Sequence, residues 1–162
     1  MQKKTIYADN AATTKLNPAA FEAMVPWLTD DYGNASQPYS YARSAKKALA
    51  EARGIIARCI NALPDEIFFT SGGTESDNWV IKGSAFTDHD KRATITSAIE
   101  HHAILRSCET IEQLGYPVAY LDVTDEGMVT PEKLQSVITN KTRLVSVMLV
   151  NNEIGTIEPV ME

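Results

Sequence analysis

Glu66-Ile67-Phe68-Phe69-Thr70-Ser71-Gly72-Gly73-Thr74-Glu75-Ser76-Asp77 reads as an apolar strand, a glycine turn and the opening of a helix. The pattern predicts a strand over Glu66–Thr70 and a helix from about Glu75 to Phe86. The first turn of a helix carries N–H groups without internal partners, and the helix dipole adds partial positive charge there. Glycines let the backbone come close to an anion, and Thr74 adds a hydroxyl. Two readings stand side by side at this point. The loop is a cradle for a phosphate, or it is a tight turn with Thr74 as N-cap and Asp77 three residues on. It matches neither Gly-x-Gly-x-x-Gly nor Gly-x-x-x-x-Gly-Lys-Ser/Thr, so dinucleotide and nucleoside triphosphate readings lack their usual support.

Downstream of this turn, strand and helix alternate. Ala93–Thr96 reads as a strand and His102–Leu114 as a helix closed by Gly115. Val118–Leu121 is a strand, Asp125-Glu126-Gly127 a turn, and Pro131–Ile138 a helix capped by Thr130. Leu144–Val150 is nearly continuous apolar sequence and is expected to be a central strand covered on both faces. Upstream, Thr5–Ala8 reads as short and extended, and Asn17-Pro18 starts a helix to about Leu28, disturbed at Pro26. Asp30–Tyr39 is a loop. Tyr41–Ala62 is a long helix with Ala45, Ala48, Leu49, Ala52, Ile55, Ile56, Cys59 and Ile60 on one stripe. The alternation from Glu66 onward predicts an α/β domain with a mostly parallel sheet.

Ligands of such sheets collect at the carboxyl ends of the strands. Besides the turn at Ser71, two strand ends carry polar clusters: Ser97-Ala98-Ile99-Glu100-His101-His102 and Val150-Asn151-Asn152-Glu153-Ile154-Gly155. A histidine there can cap a helix, lie exposed, pack on a flat ring or move a proton. The metal-binding spacing His-Glu-x-x-His is absent. Asparagine can donate to a phenolate-like oxygen or build a turn with its own side chain.

The bulk properties fit an ordinary soluble globular protein. The 162 residues are 44% apolar and 22% charged. A net charge of -6, with Lys3-Lys4 and Lys46-Lys47 as isolated pairs, argues against a nucleic-acid partner. The two cysteines, Cys59 and Cys108, lie on expected helices without a Cys-x-x-Cys spacing and read as reduced, half-buried thiols. No apolar run reaches the ~20 residues of a membrane span. Met1-Gln2-Lys3-Lys4-Thr5 does not lead into a signal-peptide core, so a cytoplasmic location is expected.

Taken together, the segments resemble the cysteine desulfurase branch of the class V aminotransferase family. The residues that carry the resemblance are Tyr7–Thr14, Gly33-Asn34, Phe69–Asn78, Ile95-Thr96-Ser97 with Glu100-His101, and Val150–Gly155. They follow the family's order and approximate spacing along the whole chain. The resemblance implies the pyridoxal-phosphate-dependent transferase fold of type I: three layers around a mostly parallel sheet, here truncated. It implies an N-terminal segment over residues 1–15 and an incomplete cofactor-binding domain over 16–162. By position, Gly73 and Thr74 would bind the phosphate of pyridoxal 5'-phosphate. His101 would stack on its ring and serve in proton transfer, and Asn152 would bond its phenolic oxygen. The implied substrate is L-cysteine, converted to L-alanine and enzyme-bound sulfur for iron–sulfur cluster or thiocofactor assembly. The implied partners are a second copy, as homodimer, and a sulfur-acceptor protein.

The resemblance also sets limits. The family's cofactor-attaching Lys, ring-nitrogen Asp and sulfur-accepting Cys all follow the Asn-Asn-Glu-Ile-Gly segment and have no counterpart here, so the chain alone is expected to be an inactive N-terminal fragment. After Gly33-Asn34 the family usually continues Pro-x-Ser-x-His, whereas this chain reads Ala35-Ser36-Gln37-Pro38-Tyr39. That departure leaves the subgroup open. Selenocysteine lyase and aminotransferase remain alternatives within the family, and a non-catalytic module binding a phosphorylated ligand or a partner is the alternative outside it.

Overall fold

The computed structural model describes residues 5–87 and 92–162. The Lys3-Lys4 pair and the start of the chain lie outside the described residues. The described chain forms two compact units, one ending at Phe69 and one running from Thr70 to Glu162.

The first unit is helical. Helix α1 spans Pro18–Thr29. Asn17 Oδ1 accepts from the Ala19 N–H at 2.9 Å, and Pro18 supplies a fixed φ at the first helical position. The helix runs through Pro26 for one more turn, and the Pro26 carbonyl then takes the N–H groups of Asp30 and Asp31 at 2.9 and 2.8 Å. Thr5–Ala8 forms no strand.

Helix α2 spans Arg43–Cys59, preceded by a 3-10 turn at Ser40–Ala42. Two bonds anchor its start: Tyr41 Oη donates to the Asp30 carbonyl and Ser44 Oγ to Asp31 Oδ1, both at 2.8 Å. Gly33 is required in this corner, because a Cβ there would meet the Tyr41 carbonyl oxygen at 2.5 Å. The expected apolar stripe of α2 exists but is not buried: Leu49, Ile55, Ile56 and Ile60 are exposed, and only Ala57 is buried on the helix. Cys59 is exposed rather than half-buried.

The strand expected over Glu66–Thr70 is not formed. Pro64–Glu66 makes a 3-10 turn and Ile67 follows in extended backbone. The reason lies in the hydrogen bonds. The Ile67 carbonyl accepts from Arg53 Nε at 3.0 Å instead of from a neighbouring strand, and the same guanidinium lies 5.2 Å over the Phe69 ring. An extended segment whose backbone is claimed by a side chain does not enter a ladder.

The second unit is a parallel three-stranded sheet, ordered β2-β1-β3, with helices on both faces. The strands are β1 (Ala93–Ser97), β2 (Val118–Leu121) and β3 (Thr142–Ser146), and the helices are α3 (Gly73–Thr87), α4 (His102–Gln113) and α5 (Pro131–Val137). Ile95 pairs with Ala119 on one side and Val145 on the other. On one face, α3 and α4 pack Ile81, Ala85, Ile104, Cys108 and Ile111 against Val118 and Leu144. On the other, Ile95, Leu121 and Val129 meet Leu134 and Val137 of α5. Neighbouring residues Val118 and Ala119 serve opposite faces, as the two-residue period of a strand requires.

The central strand is β1, not the Leu144–Val150 run. From Thr94 to Ser97, β1 is buried throughout, whereas β3 lies at an edge, stops at Ser146 and is only half-buried. Apolar content reflects burial but not which neighbours a strand pairs with. The local signals read correctly. Gly115 and Gly127 take φ of +87° and +76° at the ends of α4 and the 125–127 turn, and Thr130 Oγ1 accepts from the Lys133 N–H at 3.2 Å.

Candidate functional site

The turn before α3 is built from its own side chains. Thr70 Oγ1 and Ser76 Oγ lie 2.8 Å apart, and each hydroxyl reaches the Gly72 carbonyl, at 3.2 and 3.4 Å. Glu75 folds back so that Oε2 accepts from the Ser71 N–H at 2.6 Å and from Ser71 Oγ at 2.7 Å. These bonds, the side-chain one foremost, hold the Glu75 carboxyl below its usual range. The helix begins at Gly73, so Thr74 sits inside its first turn rather than capping it. Gly72 has φ +156°, a region that residues with side chains rarely enter, and open space lies over both Gly72 and Gly73. Gly73 and Thr74 are exposed. The turn thus presents the start of a helix, an exposed hydroxyl and a surface without Cβ atoms.

The ends of β1 and β3 are joined by a different arrangement. Glu100 is buried, and its Oε1 accepts from Ser97 Oγ and from the Met148 N–H, both at 2.8 Å. Burial pushes its carboxyl above the usual range; the two bonds oppose this, and the charges of Glu158 and Asp77 add to it. Asn151 is also buried. Its Nδ2 donates to the Ile99 carbonyl at 3.0 Å, and its Oδ1 accepts from Glu153 N–H at 2.9 Å and Ile154 N–H at 3.1 Å.

These contacts determine where the expected site residues stand. His101 follows Glu100 and is the N-cap of α4, its Nδ1 accepting from the Ala103 N–H at 3.1 Å. The capping role open to this histidine is therefore realised, and its ring stays exposed. Asn152 follows Asn151 and is exposed in the turn that Asn151 shapes. The Glu100 and Asn151 bonds bring the loops carrying His101 and Asn152 together. Helix α3, whose start carries Gly73 and Thr74, packs along α4, whose N-cap is His101. Among the described residues, no hydrogen bond directly links Gly73, Thr74, His101 and Asn152; Glu100 and Asn151 tie together the loops of His101 and Asn152, while the bonds of the Gly73–Thr74 turn stay within residues 70–78.

Glu100 and Asn151 are the residues whose part sequence reasoning missed. Their partners lie 48 and 52 positions away, beyond any local pattern. A carboxylate and an amide next to exposed polar residues at strand ends were the available signal. Other features lie apart from the site. A cavity of about 610 Å³ on the α5 side, lined by Val129, Leu134, Val145, Val147 and Glu158, includes none of the four expected residues. Cys108 is fully buried between α3 and α4, and burial pushes its thiol up to about 11. Among the described residues, no three His, Cys, Asp or Glu side chains gather as metal ligands, and no helix is long and apolar enough to cross a membrane.

Residues 6–162 match the family described as Aminotransferase class-V. The chain belongs to that family. Among its relatives, the cysteine desulfurase of Methanosarcina thermophila is 48% identical over 162 residues, which are 99% of this chain and 40% of that protein. A solved NifS-like protein superposes with a TM-score of 0.89 at 38% identity, over 94% of this chain and 42% of that one. A structure described as SspA in complex with cysteine gives 0.90 at 39%, over 96% and 45%. This class-V chain thus spans about 40% of the length of the curated relatives it matches. Its three-layer α/β arrangement is the fold of the NifS-like structures.

Proposed function

We propose that this chain forms one wall of a pyridoxal-phosphate site in a cysteine desulfurase. The observation that carries the reading is the junction at Glu100 and Asn151, which holds the loops of exposed His101 and Asn152 together at the strand ends, beside the packed pair α3 and α4. The donor set fits the cofactor. The N–H groups of the first turn of α3 and the Thr74 hydroxyl suit a phosphate, and the open space over Gly72 and Gly73 lets it approach. The exposed imidazole of His101 suits a flat ring and can hold or pass a proton at its Nε2. The exposed amide of Asn152 suits a ring oxygen, to which its Nδ2 can donate. Glu75 is turned onto Ser71, which keeps its charge engaged locally. When bound, the cofactor supplies an electron sink for negative charge at the amino-acid carbon next to nitrogen.

The substrate of this reading is L-cysteine, left as L-alanine after loss of sulfur. Support comes from the desulfurase relatives and from the neighbouring structure described with cysteine. The reading includes a cytoplasmic homodimer that passes sulfur to an acceptor protein for iron–sulfur cluster or thiocofactor assembly. The exposed apolar residues of α2, Leu49, Ile55 and Ile56, suit a subunit contact.

Equilibrium dialysis of the chain with pyridoxal phosphate tests the site itself. Saturable binding that inorganic phosphate displaces is expected. Uptake that does not saturate, or that phosphate leaves unchanged, would overturn it.

A further inference from the structure

We propose that Glu100 is the positioning residue of this site: it locks the loop carrying His101 to the backbone leaving β3, so that the imidazole keeps one fixed place. The inference rests on the cofactor-site reading for its purpose but not for its geometry.

A single oxygen, Oε1, receives two donors from opposite directions. One is the Ser97 hydroxyl at the end of β1, and the other is the Met148 N–H beyond the end of β3, both at 2.8 Å. β1 and β3 are paired only up to Thr96 and Ser146, so the sheet ladder has ended where this clamp begins. Without Glu100, the Met148 N–H would lose its partner in a half-buried place. Asn151, three residues past Met148, adds a second tie from its Nδ2 to the Ile99 carbonyl at 3.0 Å. Residues 99 and 100 are thus held from the β3 side, and His101 is the next residue along.

From there the hold passes to the ring. The N-cap bond from Ala103 N–H to His101 Nδ1 at 3.1 Å ties down one ring nitrogen and leaves Nε2 free. The backbone carbonyl of His101 accepts from Ile104 and Leu105 N–H at 2.9 and 3.2 Å. The ring is therefore tied to its helix by the cap, and the backbone that leads to it is tied to the β3 side by Glu100. A carboxylate is a strong choice for the clamp because bonds to an ionised acceptor are about twice as strong as neutral ones. Its cost is burial beside the charges of Asp77 and Glu158, a cost that a purely structural site could avoid with an amide.

Amide hydrogen exchange of the unliganded chain separates this from the cofactor reading. Glu100→Ala is expected to speed exchange at Met148 about tenfold, and at Ala103 by a similar factor as the His101 cap loosens. Glu100→Gln, which keeps a carbonyl acceptor in the same place without the charge, is expected to restore part of the protection at both. Should Glu100→Ala not fold, Ser97→Ala supplies the same comparison with a smaller rise at both amides. A rise at Met148 with Ala103 unchanged would overturn the inference, whether or not pyridoxal phosphate binds. A second arm measures circular dichroism in the absorption band of bound pyridoxal phosphate. Glu100→Ala is expected to lose that signal per bound cofactor and Glu100→Gln to recover part of it, whereas a merely structural residue would leave it unchanged. Absence of binding in the parent chain would fail the cofactor reading alone and leave the exchange result standing.

Discussion

The two ends of the proposed site are made differently. At the junction of β1 and β3, Ser97, Glu100 and Asn151 are buried, and Glu100 and Asn151 are bonded across 48 and 52 positions of sequence. At the turn before α3, the bonds of Ser71, Gly72, Glu75 and Ser76 reach no more than six positions, and the residues are exposed or half-buried. Opening the junction requires two long-range bonds, from Met148 to Glu100 and from Asn151 to Ile99, to break. The turn is a local shape with open space above it. A pocket that orients a flat ring while accepting an anion from solvent needs one of each.

The contrast breaks first at Asn151. Asn151→Ala removes the donor to Ile99 and the acceptor for Glu153 and Ile154. A loss of about 1–3 kcal/mol is expected in thermal or denaturant unfolding, because a half-buried carbonyl and two loop N–H groups lose their partner. A loss no larger than that of a surface alanine substitution would mean these bonds do not hold the junction. Gly72→Ala comes next. Space is free there, but φ +156° strains any residue with a Cβ, so about 1–2 kcal/mol is expected in the same assay. Parent-like stability would show that the turn relaxes at no cost.

Thr74→Val sharpens the contrast from the ligand side. The Thr74 hydroxyl is exposed, so stability should hardly change, while pyridoxal-phosphate affinity should fall about tenfold, the worth of one hydrogen bond to a charged group. Equal binding by the two proteins would remove Thr74 from the cradle.

The same division explains what could be read from the sequence. Asn17-Pro18 and Thr130-Pro131 announced their helices, and Gly115 and Gly127 their turns, because caps and left-handed residues act within a few positions. The turn at Ser71 was legible for that reason. The strand expected at Glu66–Thr70 failed because its backbone is claimed by Arg53, fourteen residues earlier. The placing of β1 rather than β3 at the centre, and the roles of Glu100 and Asn151, depend on pairings that no local pattern records.

The smallest effect concerns Glu75, and it tests whether the turn is shaped by charge. The Ser71 bonds hold its carboxyl below the ordinary glutamate value, so the folded turn prefers the ionised form. The turn should therefore be fully ordered above the unfolded value of about 4.3 and lose this support as pH falls through the lower folded value. In the parent chain, exchange at the Ser71 N–H should quicken, beyond its intrinsic pH dependence, only at that acidic end. Glu75→Gln should show a modest quickening already at neutral pH and no added step on acidification, since its amide still accepts but carries no charge. Its pyridoxal-phosphate affinity should stay within about threefold of the parent, because the carboxylate faces Ser71 rather than the ligand. A far larger loss would make Glu75 part of the cradle, and the turn would then be shaped by its ligand as well as by its own side chains.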